Sequence, residues 1–316
     1  GPGGENFEDE EFGGRYLQYP DFGEFAALVP NADQTDQQII PGTWTVRIGR
    51  MNGSDSDVEV QVIVERRPGG TGSVGTLDLN VFLADAISPK AATAADNETM
   101  QDIWDRVDVL LSQQGLRIGT ITYYDLTDAK WDDVTSAEFP DLLAESSAAT
   151  DERFNYFFVR TAIGGGVLGV SAKLGGTSRL GSRSAGVMGL WIDDPTPSQA
   201  DLVARVTAHE MGHYLGLRHT AESSGANDRL DDTTNYGSGG GGTYLMHWNA
   251  GTGGSTISNG QGLVIRGHAH VRAALVPAAP LVLKRALPVP SLDSVLAPQN
   301  WCGTCARCKS KEDLKR

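Results

Sequence analysis

The chain has 316 residues, 40% of them hydrophobic and 21% charged, which suits one large globular domain with an accessory, or two domains. Its formal net charge of -14 argues against a nucleic-acid binder, since phosphate contacts need clustered Lys and Arg; it suits solubility and favours cationic partners. No run of about 18 apolar residues occurs, so no membrane span is expected, and the first residues lack the basic and apolar regions of a signal peptide.

Residues 1–14 carry Glu5, Glu8, Asp9, Glu10 and Glu11 among glycines and read as a flexible acidic tail. Residues 15–67 read as a small all-β accessory module. TWTVRIGR and DVEVQVIVER alternate apolar and polar residues, and Asn52-Gly53 between them signals a hairpin turn. Residues 68–75 are a Gly-rich linker.

From Thr76 the pattern changes. TLDLNVFLAD predicts a strand. NETMQDIWDRVDVLLSQQG predicts a helix, with Met100, Ile103, Trp104, Val107, Leu110 and Leu111 at helical spacing and Gly115 as its stop. LRIGTITYYDL, RFNYFFVRTA, LGVSAKL and AGVMGLWI predict four more strands. SQADLVARVTAHEMGHYLG predicts a long helix capped by Ser198. A Gly-, Ser-, Thr- and Asp-rich loop follows His219, and a loop that long is usually functional or disordered. ISNGQGLVIRGHAHVRAAL predicts a last helix, and residues 275–316 form a Pro-rich, Cys-containing tail. This order suggests an α+β fold, a twisted mixed sheet with helices packed on it.

The stretch HEMGHYLGLRH holds His209, Glu210, His213, Gly216 and His219. Histidines four apart on a helix share one face, so His209 and His213 can bind one metal. Gly216 lets the chain leave the helix, and the turn can return His219 to the same ion. Three neutral imidazoles with one open position describe a catalytic zinc site, with Glu210 placed to take a proton from a zinc-bound water and later deliver it. A surface helix with chance histidines is the competing reading. At ordinary residue frequencies, matching all five positions has odds on the order of 10⁻⁵.

This stretch resembles the extended HExxHxxGxxH signature of the metzincin zinc metallopeptidases, and YLMHW with Met246 resembles their methionine turn. FNYFFV, LGVSAKL, AGVMGLWI, DRLDDT and SNGQGLVIRGH resemble segments of the pappalysin-like branch. The resemblance covers much of residues 76–274. It implies a metzincin-type domain: a twisted mixed five-stranded sheet, an active-site helix, and a C-terminal helix after the methionine turn. It further implies zinc on His209, His213 and His219, Glu210 as general base and acid, structural roles for Gly216 and Met246, and a protein or peptide substrate cut internally. An edge strand over Gly169, Val170, Ser171, Ala172 and Lys173 would pair with an extended substrate; a plain edge strand is the alternative. A Tyr two residues after the methionine assists the oxyanion in some metzincins, but this chain has Trp248 there, with Tyr244 and His247 nearby.

Asp228, Asp231, Asp232 and Thr233 can hold calcium through oxygen ligands, as relatives do in this region, or form a solvated acidic loop. Cys302, Cys305 and Cys308 can cap the zinc as a latency device, hold another metal, or lie in a tail with an incidental disulfide. His268 and His270 read as surface or packing residues. The expectation is a secreted or cell-envelope zinc endopeptidase. A surface adhesion protein with an inactive peptidase domain is the rival, against which the intact Glu210 and histidine triad speak.

Overall fold

A computed structural model describes residues 74–273, apart from 166, 173, 174, 178, 222–227, 229 and 234–240, together with the backbone of two short N-terminal strands. Those strands, β1 (Leu17–Asp21) and β2 (Glu24–Leu28), form an antiparallel hairpin. The rest of the accessory module expected over 15–67, and the tail from 275 with its three cysteines, lie outside the described residues.

The remaining strands are β3 (Gly75–Leu83), β4 (Leu116–Asp125), β5 (Asp133–Val134), β6 (Phe154–Val159), β7 (Thr161–Ala162), β8 (Gly169–Ser171), β9 (Val187–Leu190) and β10 (Arg272–Ala273). The helices are α1 (Ala91–Ala94), α2 (Glu98–Ser112), α3 (Phe139–Ala144), α4 (Pro197–Tyr214) and α5 (Asn259–Gly267). Five strands form the main sheet in the order β4-β3-β6-β9-β8. The pairs β4/β3, β3/β6 and β6/β9 are parallel, and only β8 runs antiparallel to its neighbour. This is the mixed five-stranded α+β arrangement expected. The two-residue β10 adds a sixth strand on β3, and β5 pairs with β7 as a separate ribbon.

All six residues of β6, FNYFFV, are buried, as a central parallel strand covered on both faces requires. Phe154, Tyr156 and Phe158 point to one face. There Trp104 of α2 meets Tyr156 and Phe158 edge-on, each at 5.8 Å, and Tyr214 of α4 meets Phe154 at 4.7 Å. Phe157 points to the other face, where it stacks on Phe82 at 4.5 Å and lies near Leu143 of α3. The helices α2 and α4 are cross-linked by the Arg106–Asp201 ion pair, with Asp102 also on Arg106.

Two helix boundaries correct the sequence reading. The helix α4 is capped by Thr196, not Ser198. Thr196 and Gln199 form a reciprocal capping box around Pro197, whose missing N–H costs nothing in the first turn. The last helix ends at Gly267. His268 takes an extended conformation and the chain enters β10, so the expected run to Leu275 stops short. No helix among the described residues is long and apolar enough to cross a membrane.

Candidate active site

The histidine stretch forms the buried C-terminal half of α4. His209 and His213 stand one turn apart with ring centroids 4.7 Å from each other. The helix ends in a Schellman turn. The N–H of Gly216 bonds the His213 carbonyl and that of Leu217 bonds the Gly212 carbonyl, both at 2.9 Å. This turn needs φ of +104° at Gly216, a conformation that a side chain disfavours. The reversal sends His219 back so that its ring lies 4.6 Å from that of His213 and 5.3 Å from that of His209.

The ring nitrogens are sorted by their partners. Nδ1 of His209 donates to the Leu245 carbonyl and Nδ1 of His213 to the Leu217 carbonyl, each at 2.7 Å. A proton fixed on Nδ1 leaves Nε2 with a bare lone pair, the form in which imidazole binds a metal. The same Gly216 turn that returns His219 therefore also supplies the carbonyl that orients His213. Burial, reinforced by the neighbouring histidines, pushes His209 and His213 well below the usual imidazole range, so both stay neutral.

The donor set fits a zinc ion. The three imidazoles each offer a nitrogen, and these lie within 4.8 Å of one another. Nε2 of His209 is buried without a hydrogen-bond partner. Nε2 of His213 and His219 lie 3.1 Å apart. Two nitrogens at zinc distance on one tetrahedron stand about 3.3 Å apart. No other group of three or more His, Cys, Asp or Glu ligands comes together among the described residues.

The floor of the site is the turn at Tyr244–His247, closed by the N–H of His247 on the Tyr244 carbonyl at 3.2 Å. Met246 is fully buried there. Its sulfur lies where a Cβ on Gly212 would come within 2.6 Å, so the turn of helix between the two histidines rests directly on it. The N–H of Thr220 donates to the Met246 carbonyl at 2.8 Å and ties the chain after His219 to this turn. Glu210 is also fully buried, and Gly169 of β8 packs against it: a Cβ at Gly169 would meet Glu210 Cγ at 2.6 Å and Val206 Cγ1 at 2.9 Å.

A family model described as metallo-peptidase family M12 matches residues 85–258, more than half of the chain. The chain belongs to this family. The match spans β4, β6, β8, β9, α4 and the methionine turn, and begins just after β3. It names M12 and not the pappalysin-like branch. A search of curated proteins finds no match.

In this M12 member the other residues singled out from the sequence are distributed as follows. Gly169, Val170 and Ser171 form β8, which pairs with β9 alone among the described residues, and the buried Ala172 follows; Lys173 lies outside the described residues. Asp232 accepts from Ser258 Oγ at 2.9 Å and from the Gly260 N–H at 2.7 Å, so it closes the N-terminus of α5. Asp228 accepts from Thr233 Oγ1 and from the Leu230 N–H, and Asp231 is exposed. Burial raises Asp228 to about 6. His268 is buried and His270 half-buried, both beside the ring of Tyr214, which makes them packing residues. His247 is buried, close enough to His209 to disfavour its charge, and Trp248 is half-buried beside it.

Sequence reading missed four residues around the site. Leu245 and Leu217 act through backbone carbonyls, which no side-chain motif reports. Tyr156 bonds Thr207 Oγ1 at 2.9 Å, two residues before His209, and burial raises its pKa. The fourth is Arg205, one turn before His209, a spacing that was readable in ARVTAH.

Proposed function

We propose that the chain is a zinc-dependent endopeptidase in which His209, His213 and His219 hold the metal and Glu210 is the general base and acid. The observation that carries this reading is the set of three converging buried imidazoles, two of them with Nδ1 committed to backbone carbonyls. Bound zinc would supply Lewis acidity toward a peptide carbonyl and lower the pKa of a water.

The protein's own residues do the rest. Glu210 directly follows the first ligand and is shielded from solvent, so its carboxylate can accept the proton of the attacking water and pass it to the leaving nitrogen. Gly169 lets β8 lie against Glu210 without a side chain between them. An extended substrate pairing with β8 would bring a peptide carbonyl to that carboxylate, with backbone hydrogen bonds supplying sequence-tolerant affinity. Such binding along a strand, with the peptide continuing in both directions, favours internal cleavage. Met246 and the carbonyls of Leu245 and Leu217 keep the imidazoles aimed, so little reorganisation is needed on reaction. Calcium on Asp228, Asp231, Asp232 and Thr233 would be a separate structural site, and the reaction as described does not call on it.

The test is cleavage of a peptide library read by mass spectrometry, with and without a zinc chelator. Internal cleavage that stops on chelation and returns with zinc is the expected result. A library left intact by zinc-loaded protein would overturn the reading.

A further inference from the structure

Arg205 lies one helical turn before His209 on the same row of α4. Its side chain is drawn inward. One Nη donates to the Gly251 carbonyl at 3.3 Å, while Nε is buried with no hydrogen-bond partner. The nearest carboxylate to act on it, Asp201, pulls only at a distance and is itself paired with Arg106. Burial disfavours its charge, yet a guanidinium stays protonated at any ordinary pH. A half-buried cation with an unsatisfied donor and no carboxylate in contact is costly, and it calls for a partner.

The surroundings say where that partner would come from. Leu202 and Val206 of α4 pack with Ala250 and with Leu168 in a small apolar cluster apart from the main core. Leu168 directly precedes Gly169, which rests on Glu210. Ala250 and Gly251 follow the turn of Met246. Arg205 therefore stands where α4, the start of β8 and the chain leaving the methionine turn meet, one turn of helix away from the metal ligands.

We infer that Arg205 is a specificity-determining residue that receives the carboxylate of an Asp or Glu side chain close to the scissile bond. This rests on the endopeptidase reading above. A carboxylate supplies what the guanidinium lacks, a negative charge and a second acceptor for its planar fork. The apolar residues beside it accommodate the methylene stem. The preference runs against the net charge of -14, which taken alone favours cationic partners. A partly buried local charge is screened less than charges spread over the surface, so it decides the choice at this subsite.

The experiment compares matched peptides that carry Glu or Gln at each position flanking the cleaved bond. They are cut by the zinc-loaded full chain and by its Arg205→Met and Arg205→Lys variants. The wild type is expected to favour Glu in kcat/KM by at least about tenfold at one flanking position. That ratio is expected to collapse toward unity in Arg205→Met, to persist in part in Arg205→Lys, and to shrink as salt is raised. Equal rates on Glu and Gln peptides at every position in the wild type would overturn the inference, as would a ratio unchanged in Arg205→Met. If Arg205→Met does not fold, the wild-type and Arg205→Lys ratios and their salt dependence decide. A chain that cleaves without acidic preference fails this inference alone, whereas a chain that cleaves nothing fails the endopeptidase reading and this inference with it.

Discussion

Gly169→Ala is the sharpest probe of how the sheet edge serves the site. The added Cβ would lie 2.6 Å from Glu210 Cγ and 2.9 Å from Val206 Cγ1, whereas ordinary contact begins at 3.4 Å. Neither atom is the free end of a flexible side chain, because both sit close to the α4 backbone. Relief therefore requires β8 to lift or Glu210 to turn by about 0.8 Å or more. Overpacking of this kind costs about 1–3 kcal/mol, a fall in Tm of about 2–12 °C for a unit of this size. Misplacing a reacting group by about 1 Å costs roughly 100-fold in rate. The assay is kcat/KM on a quenched fluorescent peptide, with zinc content and Tm measured on the same sample. The expected result is unchanged zinc, a lower Tm, and a loss of about 10–100-fold in kcat/KM. A variant with wild-type Tm and turnover would refute the close approach of β8 to Glu210.

Two further predictions concern the loop after the zinc ligands. Asp232→Ala removes the acceptor for Ser258 Oγ and the Gly260 N–H, so α5 should be destabilised by about 0.5–2 kcal/mol in chemical denaturation. Burial raises Asp228 from 3.8 to about 6, so the fold prefers its neutral form. Its stabilising contribution is full below about pH 4 and is lost as pH rises through 6. Asp228→Asn, which cannot ionise, should gain about 1–2 kcal/mol on the wild type between pH 4 and 7, after allowance for the partial exposure of the carboxyl. Urea midpoints of both proteins across that range check it, and a constant difference would sink it.

Much of this architecture is legible in the residues, where local chemistry decides the outcome. Met100, Ile103, Trp104, Val107 and Leu111 are all buried because their spacing gives one face of α2, and Gly115 takes positive φ just beyond the helix. The zinc motif is legible because one helix and one turn hold all its parts. The cap of α4 was open to better reading, since Thr196, Pro197 and Gln199 carry a complete box signal. The end of α5 was harder. HAHVRAAL keeps a helical pattern, and only pairing of Arg272 and Ala273 with β3, nearly two hundred residues away, turns it into a strand. The hydrogen bonds of Asp232 to the start of α5 were hidden for a similar reason. Its partners Ser258 and Gly260 lie across a long loop, and an acidic cluster in sequence does not tell whether its oxygens face a helix end or an ion. The buried carbonyls that orient the histidines have no signature at all, because any residue supplies one.

The central claim is that Glu210 moves the proton at a site built by His209, His213 and His219. The most direct test is single-turnover cleavage of one defined peptide by Glu210→Gln beside the wild type, at matched zinc content. The account predicts one zinc per chain in both proteins and a cleavage rate lower by about 10²–10⁴ in the variant. A Glu210→Gln protein that binds zinc and cleaves at the wild-type rate would contradict it.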